Sequence, residues 1–325
     1  MAQPLPVHDQ TSDFAEAVRT GLSQPKKIIP ARYFYDRPGS ELFEAITDLP
    51  EYYPTKTEIG ILTANAAHIA ATVGQGRAVI EFGSGSSTKT PLLLRAIAPA
   101  AYVPVDISAE FLQHSAAALA RDFPGLPVLP VAADFTLPFR LPVGITNTPK
   151  LGFFPGSTLG NLAPQAAVDL LRSFAATLGQ ASWLLIGLDL APGPGKSRET
   201  LEAAYDDAQG VTAAFNLNLL HRINRELSGT IDTTAFAHRA VWNATLGRIE
   251  MHLVAIRDTT FTAAGQNFTL TTGEHIHTEN SYKWTLTESC LMARASGWTP
   301  TTHWTDRQSR FALHLWQRDT AQMQP

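Results

Sequence analysis

Short apolar runs alternate with stretches of helical spacing from the second quarter of the chain onward. Ala78–Phe82 precedes an amphipathic stretch at 88–97, and Ala101–Asp106 precedes another at 111–121. Further apolar runs lie at 126–133 and 151–154, Pro164–Leu178 reads as a helix, and the run 182–190 closes the series. Continuous apolar runs joined by helices predict a parallel sheet buried on both faces, because parallel strands need right-handed crossovers. The Pro- and Gly-rich stretch Ala191-Pro192-Gly193-Pro194-Gly195-Lys196 breaks that rhythm. Beyond it, helical patterns at 198–208 and 211–227 lead into alternating segments at 236–242, 248–256 and 274–282, which predict strands of an antiparallel layer. Thr285 and Glu288 have capping-box spacing, and the segments 298–304 and 311–316 read as a closing strand pair that returns to the first sheet. Ahead of the alternating region, helices are expected at 13–22, at 41–46 and at 57–73, the last with Thr57 as cap and Gly74 as stop.

The predicted fold is α/β, a doubly wound, mostly parallel sheet with a second α+β domain. The first domain takes 61–195 and 286–325, and the second, assigned to substrate, takes 1–60 and 196–285, with a substrate cleft expected between them. The 325 residues leave room for two such bodies, and 44% hydrophobic with 17% charged residues is an ordinary globular composition. A formal charge of -4 without a basic run argues against nucleic acid as partner. Cys290 is the single cysteine, so no internal disulfide forms, and the start Met1-Ala2-Gln3-Pro4-Leu5-Pro6 lacks a signal-peptide pattern. No apolar run reaches bilayer length. These features lead us to expect a soluble cytoplasmic protein, and we expect it to be a monomer.

Candidate chemistry collects at the strand ends. Glu81-Phe82-Gly83-Ser84-Gly85 places two glycines where a strand turns into a helix, so the backbone can approach a ligand closely. The third glycine of a dinucleotide fingerprint is replaced by Thr88, which disfavours a dehydrogenase. Asp106 lies 23 residues after Gly83 and either accepts from ribose hydroxyls or caps the next helix. Asp134-Phe135 either holds an adenine or forms a solvated loop. The fourth strand end, Pro155-Gly156-Ser157-Thr158-Leu159-Gly160-Asn161, is where a doubly wound enzyme presents groups to its second substrate. The glycine turn resembles the first motif of class I S-adenosylmethionine-dependent methyltransferases.

Longer motifs narrow the resemblance. Phe34-Tyr35-Asp36 with Gly39 to Phe43, Leu49-Pro50-Glu51-Tyr52-Tyr53-Pro54-Thr55, Gly83-Ser84-Gly85 with Lys89-Thr90, the 154–161 segment and Tyr205-Asp206-Asp207 are together similar to the L-histidine Nα-methyltransferases of the ergothioneine pathway. The resemblance runs from about Arg32 to the C-terminus. It implies three methyl transfers from S-adenosyl-L-methionine to the histidine α-amine, giving hercynine. It also implies cofactor contacts from Gly83, Ser84, Gly85, Lys89, Asp106, Asp134 and Phe135. For histidine it implies Tyr35, Tyr52, Asn161, Tyr205, Met251, Glu279 and Ser281, with Tyr35 and Asn161 at the reacting amine. Met251 either lines the side-chain pocket or is a core methionine. Glu279 and Ser281, two apart on a strand, project to one face, where they can address both imidazole nitrogens. Methylation of another amino acid such as tryptophan, a binding protein without catalysis, and a metal enzyme built on His275 and His277 remain as alternatives; no metal is expected.

Overall fold

The structure is a computed structural model that describes residues 10–85, 88–137 and 139–318, without the side chains of residues 10 and 110. Met1 to Pro6, and Ser86 and Ser87 of the glycine turn, lie outside the described residues. Two units emerge, Met1–Tyr53 with Arg198–Ser281, and Pro54–Ser197 with Tyr282–Pro325.

In the second of these units the apolar runs assemble a seven-stranded sheet. Its order is Thr299–Thr305, Phe311–Gln317, Trp183–Asp189, Lys150–Phe154, Ala78–Phe82, Ala101–Asp106, Val131–Ala132. The strands from Trp183–Asp189 to Val131–Ala132 pair in parallel, and Phe311–Gln317 joins Trp183–Asp189 antiparallel. The predicted closing pair thus returns to the first sheet. Alternate residues feed two separate cores: Ile80, Phe82, Leu184 and Ile186 on one face, Val79, Trp183 and Leu185 on the other. A parallel sheet requires both faces to be covered in this way. Thr285 and Glu288 form the expected capping box ahead of Leu286–Ala295.

Two local expectations are corrected. The run 126–133 yields only Val131–Ala132 as a strand, with an isolated bridge from Val128 to Tyr102. Pro127 and Pro130 lack the N–H a ladder needs, so the segment follows its neighbour through the Pro127 carbonyl and the Leu129 N–H at Tyr102, and then through the Ala133 N–H at the Asp106 carbonyl. The long helix begins at Tyr53 and runs to Val73, so Thr57 is an interior residue rather than a cap. Pro54 near the first position suits the start, since its missing N–H would have had no partner there. The Thr57 hydroxyl instead accepts from Arg310 Nη2 at 3.4 Å.

The other unit carries a four-stranded sheet ordered Lys27–Ile28, His275–Tyr282, Arg248–Ala255, Phe236–Asn243. The last two pair antiparallel, as the alternation predicted. An unforeseen hairpin, Thr259–Ala263 with Gln266–Leu270, turns through Ala264 and Gly265, both at positive φ. Helices Gln10–Leu22, Arg37–Asp48, Arg198–Tyr205 and Val211–Glu226 complete the unit. Arg37–Asp48 starts ahead of the helix expected at 41–46, because Asp36 caps it by accepting from the Gly39 N–H at 2.8 Å. Phe14, Phe34, Leu219, Ile223, Met251 and Leu253 share its core.

Candidate functional site

The glycine turn is latched to the neighbouring strand. Gly83 and Gly85 have φ of +73° and +42°, a region that side chains disfavour. The Gly83 and Ser84 N–H groups donate to the Val105 carbonyl at 2.8 and 3.2 Å, and Gly85 N–H donates to Asp106 Oδ2 at 3.1 Å. Asp106 Oδ1 accepts from Ser108 N–H at 3.0 Å, so each oxygen takes one backbone bond and retains lone-pair capacity. A Cβ at Gly83 would lie 3.2 Å from the Phe135 ring, which stands edge-on to Phe154 with centroids 5.6 Å apart. Asp134 accepts from the Thr136 N–H at 2.9 Å. Three successive loops thereby bring Gly83, Gly85, Asp106 and Phe135 together, with Asp134 adjacent in sequence. The Ser84 side chain is buried below the turn. Glu81 is turned into the core against Thr90 and Tyr102, and burial pushes its carboxyl up to about 7.

Lys89 leads to a residue the sequence reading missed. Its ammonium pairs with Glu58, whose carboxylate also accepts from the Gly156 N–H at 2.9 and 3.2 Å. Gly156 opens the loop that presents Asn161. That loop is held twice more, by Asp189 N–H donating to Ser157 Oγ at 2.9 Å, and by Gly160, where a Cβ would stand 2.8 Å from the Tyr282 carbonyl oxygen. Asp189 lies fully buried between Lys196 and Lys283, each 2.7 Å from one of its oxygens. Burial raises the Asp189 carboxyl, but Lys283 and Lys196 outweigh it and hold it below the usual range; burial also pushes Lys196 down to about 8.

The other unit gathers the residues expected to meet histidine. Tyr205 and Ser281 share a 2.8 Å hydrogen bond between their hydroxyls, and Glu279, buried, precedes Ser281 by two residues on the strand His275–Tyr282. Rings of Tyr35, Phe43, Tyr52 and Tyr205 form an edge-on chain with centroid spacings of 5.7, 6.4 and 6.0 Å, in which Tyr35 is the exposed member. Phe43 was not singled out from sequence, since its spacing reads as an ordinary helix face. Met251 is 2% exposed within the apolar core. His238 is a second unflagged residue. Its Nε2–H donates to the Tyr205 carbonyl at 2.8 Å, while its Nδ1 accepts from Asn216 Nδ2 at 2.8 Å. Burial lowers its basicity, so this neutral tautomer persists.

The chemistry of the described strand-end residues suits S-adenosylmethionine: Asp106 retains acceptor capacity of the kind a ribose diol needs, and Asp134 with the neighbouring Phe135 ring is of the kind that holds an adenine. Sheet order, reversed closing strand and strand-end loops define a class I methyltransferase fold. Within that class the chain belongs to the S-adenosylmethionine-dependent, histidine-specific methyltransferases, whose family model matches residues 14–318. It is therefore an enzyme with S-adenosylmethionine as methyl donor. It is 40% identical to the histidine N-alpha-methyltransferase of Mycolicibacterium smegmatis over 92% of both chains, and 37% identical to that of Mycobacterium tuberculosis at the same coverage. It is also 30% identical to ergothioneine biosynthesis protein 1 of Neurospora crassa, over 91% of this chain and 34% of that one.

Among the described residues no group of His, Cys, Asp and Glu is arranged to hold a metal ion. Among those residues, too, no helix is long and apolar enough to cross a membrane.

Proposed function

We propose that the enzyme transfers three methyl groups in succession to the α-amine of L-histidine, forming hercynine on the route to ergothioneine. The observation that carries this reading is the buried Glu279 two residues before Ser281, whose hydroxyl bonds that of Tyr205. A carboxylate and a hydroxyl on one strand offer the imidazole an acceptor for one ring nitrogen and a partner for the other. Asn161 offers the α-amine a carbonyl acceptor and the carboxylate an NH₂ donor.

When bound, S-adenosylmethionine supplies a methyl carbon activated by a sulfonium. The protein's share is to hold the amine nitrogen neutral, in line and at about 3 to 3.5 Å from that carbon. A proton leaves before each of the three transfers, and Tyr35, exposed at the end of the aromatic chain, is our assignment for its first acceptor or for the water that takes it. Aromatic faces at Tyr35 and Phe43 suit the growing quaternary ammonium, which they attract without a hydrogen bond.

The test is mass spectrometry of the purified protein with S-adenosylmethionine and each natural amino acid. Three added methyl groups on histidine, lost at least tenfold in rate in Glu279→Ala, are expected. A larger rate on another amino acid overturns the substrate, and a single added methyl overturns the product.

A further inference from the structure

Glu58 sits where a helix acid is ordinarily solvated, yet its side chain is 1% exposed and that of Lys89 only 12%. Burying a carboxylate is unfavourable unless it is paired and hydrogen-bonded, and Glu58 meets both conditions with two distinct partners. One is the lysine of the glycine-turn loop; the other is the Gly156 N–H that opens the loop leading to Asn161. The space for the carboxylate exists because position 187, in the strand Trp183–Asp189, is glycine: a Cβ there would stand 1.9 Å from Glu58 Oε1. Gly156 is constrained as well, with φ +81° and its missing Cβ 3.6 Å from Lys89 Nζ. Sheet, lysine and loop thus leave Glu58 one position.

We propose that Glu58 is a positioning residue that couples the cofactor lysine to the loop presenting Asn161. Through Lys89 it sets the donor for the methionine carboxylate, and through Gly156 it sets the backbone that orients the amide at the α-amine. Cofactor affinity and amine alignment are then linked through one carboxylate. The proposal rests on the reading of Lys89 as a cofactor contact, and the experiment separates the two.

Affinity for S-adenosylmethionine by calorimetry and kcat with histidine are measured for Lys89→Met, Glu58→Gln and the double variant. Lys89→Met is expected to weaken cofactor binding roughly tenfold. Glu58→Gln is expected to weaken it to a similar degree and to lower kcat severalfold as well. In the double variant the two affinity losses do not add, because Glu58 acts through Lys89, whereas the kcat loss at Gly156 persists. Additive affinity losses, or a kcat in the double variant equal to that of Lys89→Met, overturn the coupling while leaving Lys89 at the cofactor. Unchanged affinity in Lys89→Met overturns the cofactor reading and the proposal with it. Should Glu58→Gln alone fail to fold because Lys89 is stranded, the double variant carries no unpaired charge, and its kcat against Lys89→Met decides the same point.

Discussion

Individual residues in this fold are defined by what they are buried against more than by their type. Glu81 and Glu58 are both acids close to the glycine turn, yet they have opposite roles. Glu81 is a core acid, raised to about 7 by burial despite the Tyr102 and Thr90 hydrogen bonds. Between the ordinary carboxyl value of 4.5 and 7 the native state holds a proton that the unfolded chain has released, so stability falls as pH rises through that window and levels off above it. The drop amounts to about 3 kcal/mol, since each unit is worth about 1.4. Glu81→Gln should remove this slope. Urea unfolding of both proteins at pH 4 and pH 8 should show the variant gaining on the wild type by about that amount; parallel pH curves would show that Glu81 titrates normally. Glu58 was invisible in the sequence because helix periodicity marks it as a surface acid, and only the glycine at 187 makes room for it. The place of Asp106 was legible for the opposite reason, since an apolar run that ends in an acid defines a strand end locally.

Elements with strong periodicity were readable from sequence, and those set by tertiary contacts were not. Ala78–Phe82, Ala101–Asp106 and Pro164–Leu178 stand where apolar runs and spacing put them. The hairpin at 259–270 escaped because threonines dilute its pattern and Ala264-Gly265 lacks the Asn-Gly signal that marks a tight turn. The misplaced cap at Thr57 has a related cause: Tyr53 and Pro54 look like loop residues until the helix start is seen. The loop bearing Asn161 is fixed by tertiary contacts at Gly156, Ser157 and Gly160. Gly160→Ala would push a methyl into the Tyr282 backbone, which cannot retreat as a side chain would. We expect kcat to fall by about 10- to 100-fold, as displacements under 1 Å at a reacting centre do. Cofactor affinity, measured by calorimetry, should stay within about twofold, because the glycine turn is untouched; an equal loss in both quantities would mean that the loop serves the cofactor instead.

At the scale of the whole molecule, the chain leaves the unit with the seven-stranded sheet after Ser197 and returns to it at Tyr282. Sequence composition marked the departure through Pro192 to Gly195, whereas the return lies inside a continuous strand and had no punctuation to reveal it. Asp189 is buried between a lysine from each side of the excursion, Lys196 and Lys283. Asp189→Asn would strand two buried ammonium groups, and removal of one partner from such a set costs about 3 to 5 kcal/mol. Chemical denaturation should register that loss, and a change below about 1 kcal/mol would mean that the lysines find solvent. The same carboxylate has a topological consequence. Because both lysines reach it, the long segment Arg198–Ser281 begins and ends at one point of the sheet, like a ring closed by a clasp. Closure entropy grows only with the logarithm of length, so the clasp tolerates longer, shorter or wholly different material between its two halves. The seven-stranded sheet can therefore stay constant while the segment between the two halves of the clasp is exchanged as a cassette.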